Sequence, residues 1–353
     1  MTADNPVFSA PSRFSGLPIY AAILISVLMI GLSAYGILGH KPAPPNGRGE
    51  DLNCYQAIID RIRSGEGYYT AAAHELRARG YTTGSVFNWR LPVFGWLMAL
   101  LPNDQSRRLV AVALALAAST LWFSVLCGRN SCGLDTISGL LLVQGPVFYS
   151  LSSDCYLLHE FWAGTLISLS LAAHGRNLPW LSVSSGLAAL FVRELALPFI
   201  LVMAALSLWE GRRREAVAWS LGVVVFAVGF LAHWSIVTKL ITDSDRVLEG
   251  GWIVFGGWPF VLSTVQVHPY LILAPLWVTA TLTPLILLGL AGWRGPLGTR
   301  IACTVGMYVV TFLVVGRSFN RYWGLLYTNA MLLGLVYCPY CLVDLVKAMY
   351  RKG

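Results

Sequence analysis

Glu50-Asp51 is an acidic pair at the head of a long polar stretch, GRGEDLNCYQAIIDRIRSGEGYY, in a chain that is otherwise mostly apolar. A carboxylate at a membrane surface, followed by an amphipathic segment, is placed to act on a lipid-borne substrate. Asp51 stands four residues before Tyr55, and an acidic residue at that point also suits a helix N-cap. The two roles are compatible, because a helix N-terminus keeps a carboxylate ionised. Arg193-Glu194 falls at the middle of an apolar stretch. A charge there costs about +2.5 to +3.5 kcal/mol per residue on an insertion scale, which makes function the default expectation. Arg193 suits a phosphate, because its fork gives bidentate, charge-assisted bonds.

Other candidates carry two readings each. Arg317 and Arg321-Tyr322 lie in GRSFNRYW. Two arginines four apart on one helical face form a phosphate clamp, or they snorkel to an interface. Trp89-Arg90 before Leu91-Pro92 makes an interfacial anchor, or Arg90 reaches a lipid phosphate. Glu160, after His159, opens an apolar helix favourably; otherwise it coordinates a divalent cation with Asp154 or binds sugar hydroxyls. Cys338-Pro339-Tyr340-Cys341 reads as apolar filler without a thioredoxin-like context. Cys54 and Cys155 would share an oxidising side, where a disulfide is conceivable. His233 and Lys239 line or cap the end of their span.

The elements that must position these groups are membrane helices. The chain has 353 residues, 56% hydrophobic and 12% charged, with mean hydropathy +0.64. Those values lie outside the soluble globular range. A span takes about 20 apolar residues, so the length allows on the order of ten. The net charge of +8 sits in short clusters between apolar runs, as orientation signals do, and not in a nucleic-acid-binding face. Seven Cys show no zinc spacing.

Apolar segments fall at 19–39, 107–127, 135–152, 160–174, 181–208, 216–238, 268–292, 300–316 and 322–346. The first is read as a retained span, because HKPAPP follows it with no small-residue cleavage site. Leu91 to Leu101 is too short to span and is placed at the interface. The segment 181–208 is expected to break into two short helices meeting at Arg193-Glu194, helped by Pro198. Ten membrane helices result, with both termini cytoplasmic. Arg129, Arg176, Arg212-Arg213-Arg214, Arg294, Arg300, Lys347, Arg351 and Lys352 fall inside, and the loops 40–106, 153–159, 239–267 and 317–321 outside. Every candidate above from Glu50-Asp51 to Arg321 then projects to one outer face.

In this order the elements resemble the GT-C superfamily of polytopic glycosyltransferases. The acidic pair Glu50-Asp51 follows the first helix, and a D-x-x-x-Y start leads to G-x-x-Y-Y (Gly65, Tyr68, Tyr69). An R-x-P element (Arg90, Pro92) precedes the second span, Glu160 opens the fourth, and Arg193-Glu194 and an N-R-Y (Asn320, Arg321, Tyr322) follow. The likeness covers roughly residues 15 to 325. It departs from the family in having WRLP for the usual proline-rich element and no large outer C-terminal domain.

The resemblance implies an all-α polytopic membrane protein, one membrane domain over 1–353, with about ten transmembrane helices. Its first outer loop, 40–106, would carry short amphipathic helices and the catalytic groups. It implies inverting transfer of a sugar from a polyprenyl-phosphate donor to a lipid, glycan or protein acceptor on the extracytoplasmic face of a bacterial inner or plasma membrane. Asp51 would be the general base. Arg193, Arg317 and Arg321 would hold the phosphate charge, with Glu194, Tyr322, Arg90, Tyr55 and His159 in the substrate site. A divalent cation, Mg or Mn, would sit at Glu50, Asp154 and Glu160. A transporter or flippase of a lipid-linked sugar or anionic solute also uses buried charges on broken helices, and a non-catalytic subunit of a membrane complex would keep the fold without the base.

Overall fold

The computed structural model describes residues 11–39, 48–127, 133–151 and 154–350. Arg129, Arg351, Lys352 and the HKPAPP segment lie outside them. Among the described residues there is no strand. The helices run α1 (Ile19–Gly39), α2 (Arg48–Arg63), α3 (Tyr68–Ala78), α4 (Pro92–Leu100), α5 (Asp104–Leu126), α6 (Leu134–Leu142), α7 (Gly145–Leu151) and α8 (His159–Gly175). There follow α9 (Pro179–Val192), α10 (Leu197–Trp209), α11 (Arg213–Leu240), α12 (Gly257–Val265), α13 (Leu276–Gly292), α14 (Gly295–Val314), α15 (Thr328–Met331) and α16 (Gly334–Tyr350). Short 3-10 stretches occupy Val86–Asn88, Cys155–Leu157, Glu194–Ala196 and Ser318–Leu326.

Five segments are long and apolar enough to cross a bilayer: α1, α5, Leu134–Leu151, α11 and α14. Three shorter apolar helices, Pro179–Val192, Glu194–Trp209 and Leu276–Gly292, pack among them. The chain is thus an all-helical protein with membrane-spanning character. Most of the α1 surface is apolar and exposed, with only Ala22 and Gly36 buried. At Gly36 a Cβ would come within 2.6 Å of Leu262 and 3.0 Å of Ala280, so glycine is what lets α1 seat against α12 and α13.

Three local features set up the functional end. The apolar stretch 181–208 does break at Arg193, whose φ of −149° and ψ of 114° are extended, and Pro198 stands in the first turn of α10. α4 is a nine-residue helix opened by Pro92, too short to span at about 1.5 Å per residue. Buried Arg107 closes its far end, with Nε donating to the Met98 carbonyl at 2.9 Å. The stretch 318–326 is a 3-10 element kinked at Asn320, where an α-helix was expected to begin. It presses directly on its neighbours: a Cβ at Gly164 would collide with the Leu325 carbonyl, and one at Gly324 with the Thr264 carbonyl. Glycine at both positions permits that backbone approach.

The antiparallel run of α8, α9, α10 and α11 puts the starts of α8 and α10 at one end of the bundle. That same end receives α2, α3, the 241–256 segment and the 318–326 element. Arg176, Arg212, Arg213, Arg214, Arg294, Arg300 and Lys347 lie at the opposite end. Cys338 and Cys341 are buried within α16, the filler role expected of them.

Candidate active site

α2 and α3 form a cap on the membrane helices with a core of its own. Cys54, Ile58, Tyr68, Ala71, Ala72, Leu76, Val86 and Trp89 pack there against Val237 of α11. The Tyr69 hydroxyl and His233 Nδ1 are 3.1 Å apart, tying α3 to α11, while Lys239 stays exposed. Gly95 admits the Tyr68 ring, which a Cβ there would meet at 3.0 Å, and the Tyr68 hydroxyl donates to the Arg90 carbonyl at 2.7 Å. Arg90 is thereby held at the mouth of α4. The interfacial-anchor reading of Trp89-Arg90 is overturned: Trp89 is buried, its Nε1 donating to the Thr83 carbonyl at 3.0 Å, and Arg90 turns to a cavity.

That cavity has about 150 Å³ open to water, room for on the order of ten waters. Asp51, Tyr55, Arg90, His159 and Tyr322, all expected in the site, line it together. Asp51 is not an N-cap, since α2 begins at Arg48 and carries Asp51 within its first turn. One turn on, Tyr55 shares its face. Glu50 is exposed, because neighbours on a helix point about 100° apart.

The Asp51 Oδ1 accepts from the Tyr81 hydroxyl at 2.8 Å. Burial raises the Asp51 carboxyl above the ordinary aspartate range; the Tyr81 hydrogen bond and the Arg90 charge pull it down, and Glu160 adds to the rise. Burial pushes the Tyr55 hydroxyl to about 12, so it stays a neutral donor. The Cys54 thiol is pushed to about 12 as well, too high to serve as a nucleophile. Cys54 is a buried free thiol, so the conceivable bridge to Cys155 is not formed.

Behind the lining lies a charge chain. Glu160 is fully buried and Arg193 is 1% exposed. Arg193 Nε sits 2.6 Å from Glu160 Oε1, off the line of a good hydrogen bond, and Arg193 also pairs with Glu194. Glu194 stands 3.9 Å from Arg90 Nη1. Arg193 is therefore committed to two carboxylates, and the guanidinium that reaches the cavity is Arg90.

Several expected residues fall elsewhere. Asp154 pairs with Arg108 at 3.0 Å on the surface. Glu50, Asp154 and Glu160 thus occupy three separate places, and among the described residues no three His, Cys, Asp or Glu gather to hold a metal ion. These carboxylates do not fit a shared divalent cation, and no step is assigned to one. Arg317 and Arg321 do not form a clamp on one α-helical face, because Arg317 stands before the 3-10 element that carries Arg321 and no α-helix spans the two. Arg317 is extended and donates to the Gly251 carbonyl from Nε at 3.0 Å and Nη2 at 2.6 Å, and to the Glu249 carbonyl. Arg321 is half-buried and does not line the cavity. Tyr81 and Trp252, which do line it, are missed by sequence reasoning. Each meets its partner only through the tertiary fold.

Comparison with protein-family models, with curated proteins and with solved structures found no match.

Proposed function

We propose that the chain is an integral membrane glycosyltransferase of GT-C type, with ten membrane helices and its cavity on the extracytoplasmic face of a bacterial inner or plasma membrane. It moves a sugar from a polyprenyl-phosphate donor to a membrane-proximal lipid, glycan or protein acceptor, with inversion. The observation that carries this reading is one cavity, at the loop end of the bundle, that joins the Asp51 carboxylate and the Arg90 guanidinium.

Asp51 takes the proton of the acceptor hydroxyl as its oxygen attacks the anomeric carbon. The bond from that carbon to the phosphate oxygen breaks on the opposite face. The proton ends on Asp51 and the negative charge on the lipid phosphate, which leaves without a general acid. Arg90, backed by Glu194 and Arg193, holds that charge. The raised Asp51 pKa makes the carboxylate a stronger base than an exposed one. Confinement of both substrates to one cavity supplies further rate through orientation.

Asp51→Asn tests the reading. Turnover of a synthetic polyprenyl-phosphate sugar, with native membranes as the acceptor source, is expected to collapse while membrane insertion and donor binding persist. Unchanged turnover removes Asp51 from the mechanism. The helix break at Arg193 also suits a transporter; movement of donor across liposomes by the Asp51→Asn protein would favour that reading instead.

A further inference from the structure

The cavity has two chemically different walls. Its charged lining residues, Asp51 and Arg90, come from α2 and from the approach to α4. The wall supplied by the 248–252 segment and the 318–326 element is uncharged: Leu248, Trp252, Phe319, Asn320 and Tyr322. Asn320 is only 2% exposed, and its Nδ2 donor has no hydrogen-bond partner. A buried amide donor is normally satisfied, so an unpaired one on a residue that lines a cavity points to a ligand acceptor as its partner.

Trp252 is fixed from two sides. Its Nε1 donates to Asn88 Oδ1 at 3.2 Å, and Trp323 stacks on it with centroids 6.3 Å apart and planes 29° from parallel. Asn88 is held in turn by donation to the Thr82 carbonyl at 2.5 Å. The backbone that carries Trp252 is pinned as well. Gly250 and Gly251 both take positive φ, 73° and 68°, which L side chains rarely adopt. In that conformation the carbonyls of Glu249 and Gly251 meet the one Arg317 guanidinium.

We propose that Trp252 and Asn320 form a ring subsite for the sugar of the substrate, with Arg317 as the positioning residue that holds the Trp252 segment. The assignment rests on the transferase reading only in expecting a sugar in this cavity. The negative face of an aromatic ring attracts the polarised C–H face of a pyranose or furanose, and the Asn320 amide donates to a ring hydroxyl. A phosphate would find no cation lining this wall among the described residues. A prenyl chain would leave the Asn320 donor unpaired. A neutral hydroxylated ring satisfies both groups, and leaves Arg90 for the phosphate.

The test uses full-length protein in nanodiscs and two probes, methyl glycosides of common hexoses and pentoses and the sugarless citronellyl phosphate. Binding is read by saturation-transfer NMR. At least one glycoside is expected to bind, to weaken by about tenfold or more in Trp252→Ala and in Asn320→Leu, the scale of one lost contact, and to bind normally in Trp252→Phe. Citronellyl phosphate is expected to bind all four proteins alike. Arg317→Lys keeps the charge and loses the fork, so it should weaken the glycoside and spare the phosphate probe.

Absence of glycoside binding overturns the subsite, as does wild-type glycoside binding by Trp252→Ala and Asn320→Leu, or an equal loss of both probes. Weakened citronellyl phosphate in Arg317→Lys overturns the positioning role and restores the clamp. Reading binding and turnover separately keeps the two proposals apart. Glycoside binding with no turnover by the wild type removes the transferase and keeps the subsite, whereas turnover without a Trp252 effect does the reverse.

Discussion

Arg300 and Arg193 are both buried arginines in an apolar bundle, at opposite ends of it. Arg300 meets Glu210 with two nitrogens, at 2.6 and 2.9 Å, a bidentate fork of the strong kind. Beside it Arg212 Nε lies 2.8 Å from Glu215, and His174 Nδ1 lies 3.7 Å from the same carboxylate. These contacts tie α8, α10, α11 and α14 together. Arg193 instead divides itself between Glu160 and Glu194, and Glu194 in turn stands near Arg90 at a cavity. Burial of charge is common to both ends. What separates them is whether the pairing closes on itself or ends at open space with Asp51 facing it.

The contrast breaks most sharply at Asp51. Asp51→Asn should lower turnover by about 10²- to 10⁴-fold, the range for a lost general base, while Glu210→Gln at the other end leaves turnover per folded molecule unchanged. Equal losses from both would erase the distinction. Next in size is pair removal, followed by thermal melting in detergent. Arg193→Met should cost ~3–5 kcal/mol by stranding the buried Glu160 carboxylate; Arg300→Met should cost less, because the Glu210 it leaves behind reaches water. Adding Glu210→Leu to Arg300→Met should recover stability and activity. Adding Glu160→Leu to Arg193→Met should recover stability alone. Recovery of turnover in that second double variant would make the Glu160–Arg193 pair scaffold only.

Arg90→Ala is expected to weaken binding of citronellyl phosphate by about 10- to 100-fold, the worth of a hydrogen bond to a charged group; Arg212→Ala should not change it. Tyr81→Phe is a smaller change of ~1 kcal/mol with a defined sign. The base must be ionised, and its pKa already lies above the ordinary 3.8. Activity therefore falls as pH drops through that raised value. Loss of the Tyr81 hydrogen bond, which lowers the pKa, moves the acid limb of kcat/KM to higher pH. A downward shift would contradict the assignment of that limb to Asp51. Smallest of all, Asp154→Ala removes a half-exposed pair with Arg108 and should cost under about 1 kcal/mol. A loss of turnover from it would bring Asp154 back as a ligand.

The parts legible in the sequence are those where a charge is expensive. Arg193-Glu194 in an apolar stretch demands a helix break, and α9 and α10 do separate there. Asp51 stands out because nothing about crossing a bilayer requires it, and it does line the cavity. The clamp expected of Arg317 and Arg321 fails because the four-residue spacing presumes an α-helix, whereas Arg317 is extended and Arg321 lies in a 3-10 element. Tyr81 and Trp252 left no local signal at all. Tyr81 reaches Asp51 across 30 positions and Trp252 reaches Asn88 across 164, separations that no periodicity encodes. Span number was legible only coarsely, since glycine, proline and 3-10 turns divide several apolar runs into helices too short to count by length.

The cavity takes its walls from distant parts of the chain, and this fixes when it comes into being. Asp51 is made 269 positions before Asn320, which at about 5–20 residues per second is roughly ten seconds to a minute of synthesis. Through that interval α2 carries its carboxylate without the wall made by the 248–252 segment and the 318–326 element. Shelter for the base arrives with the last third of the nascent chain. A ribosome product stopped before residue 248 holds Asp51, Tyr81 and Arg90 but lacks the wall that carries Trp252, Asn320 and Tyr322.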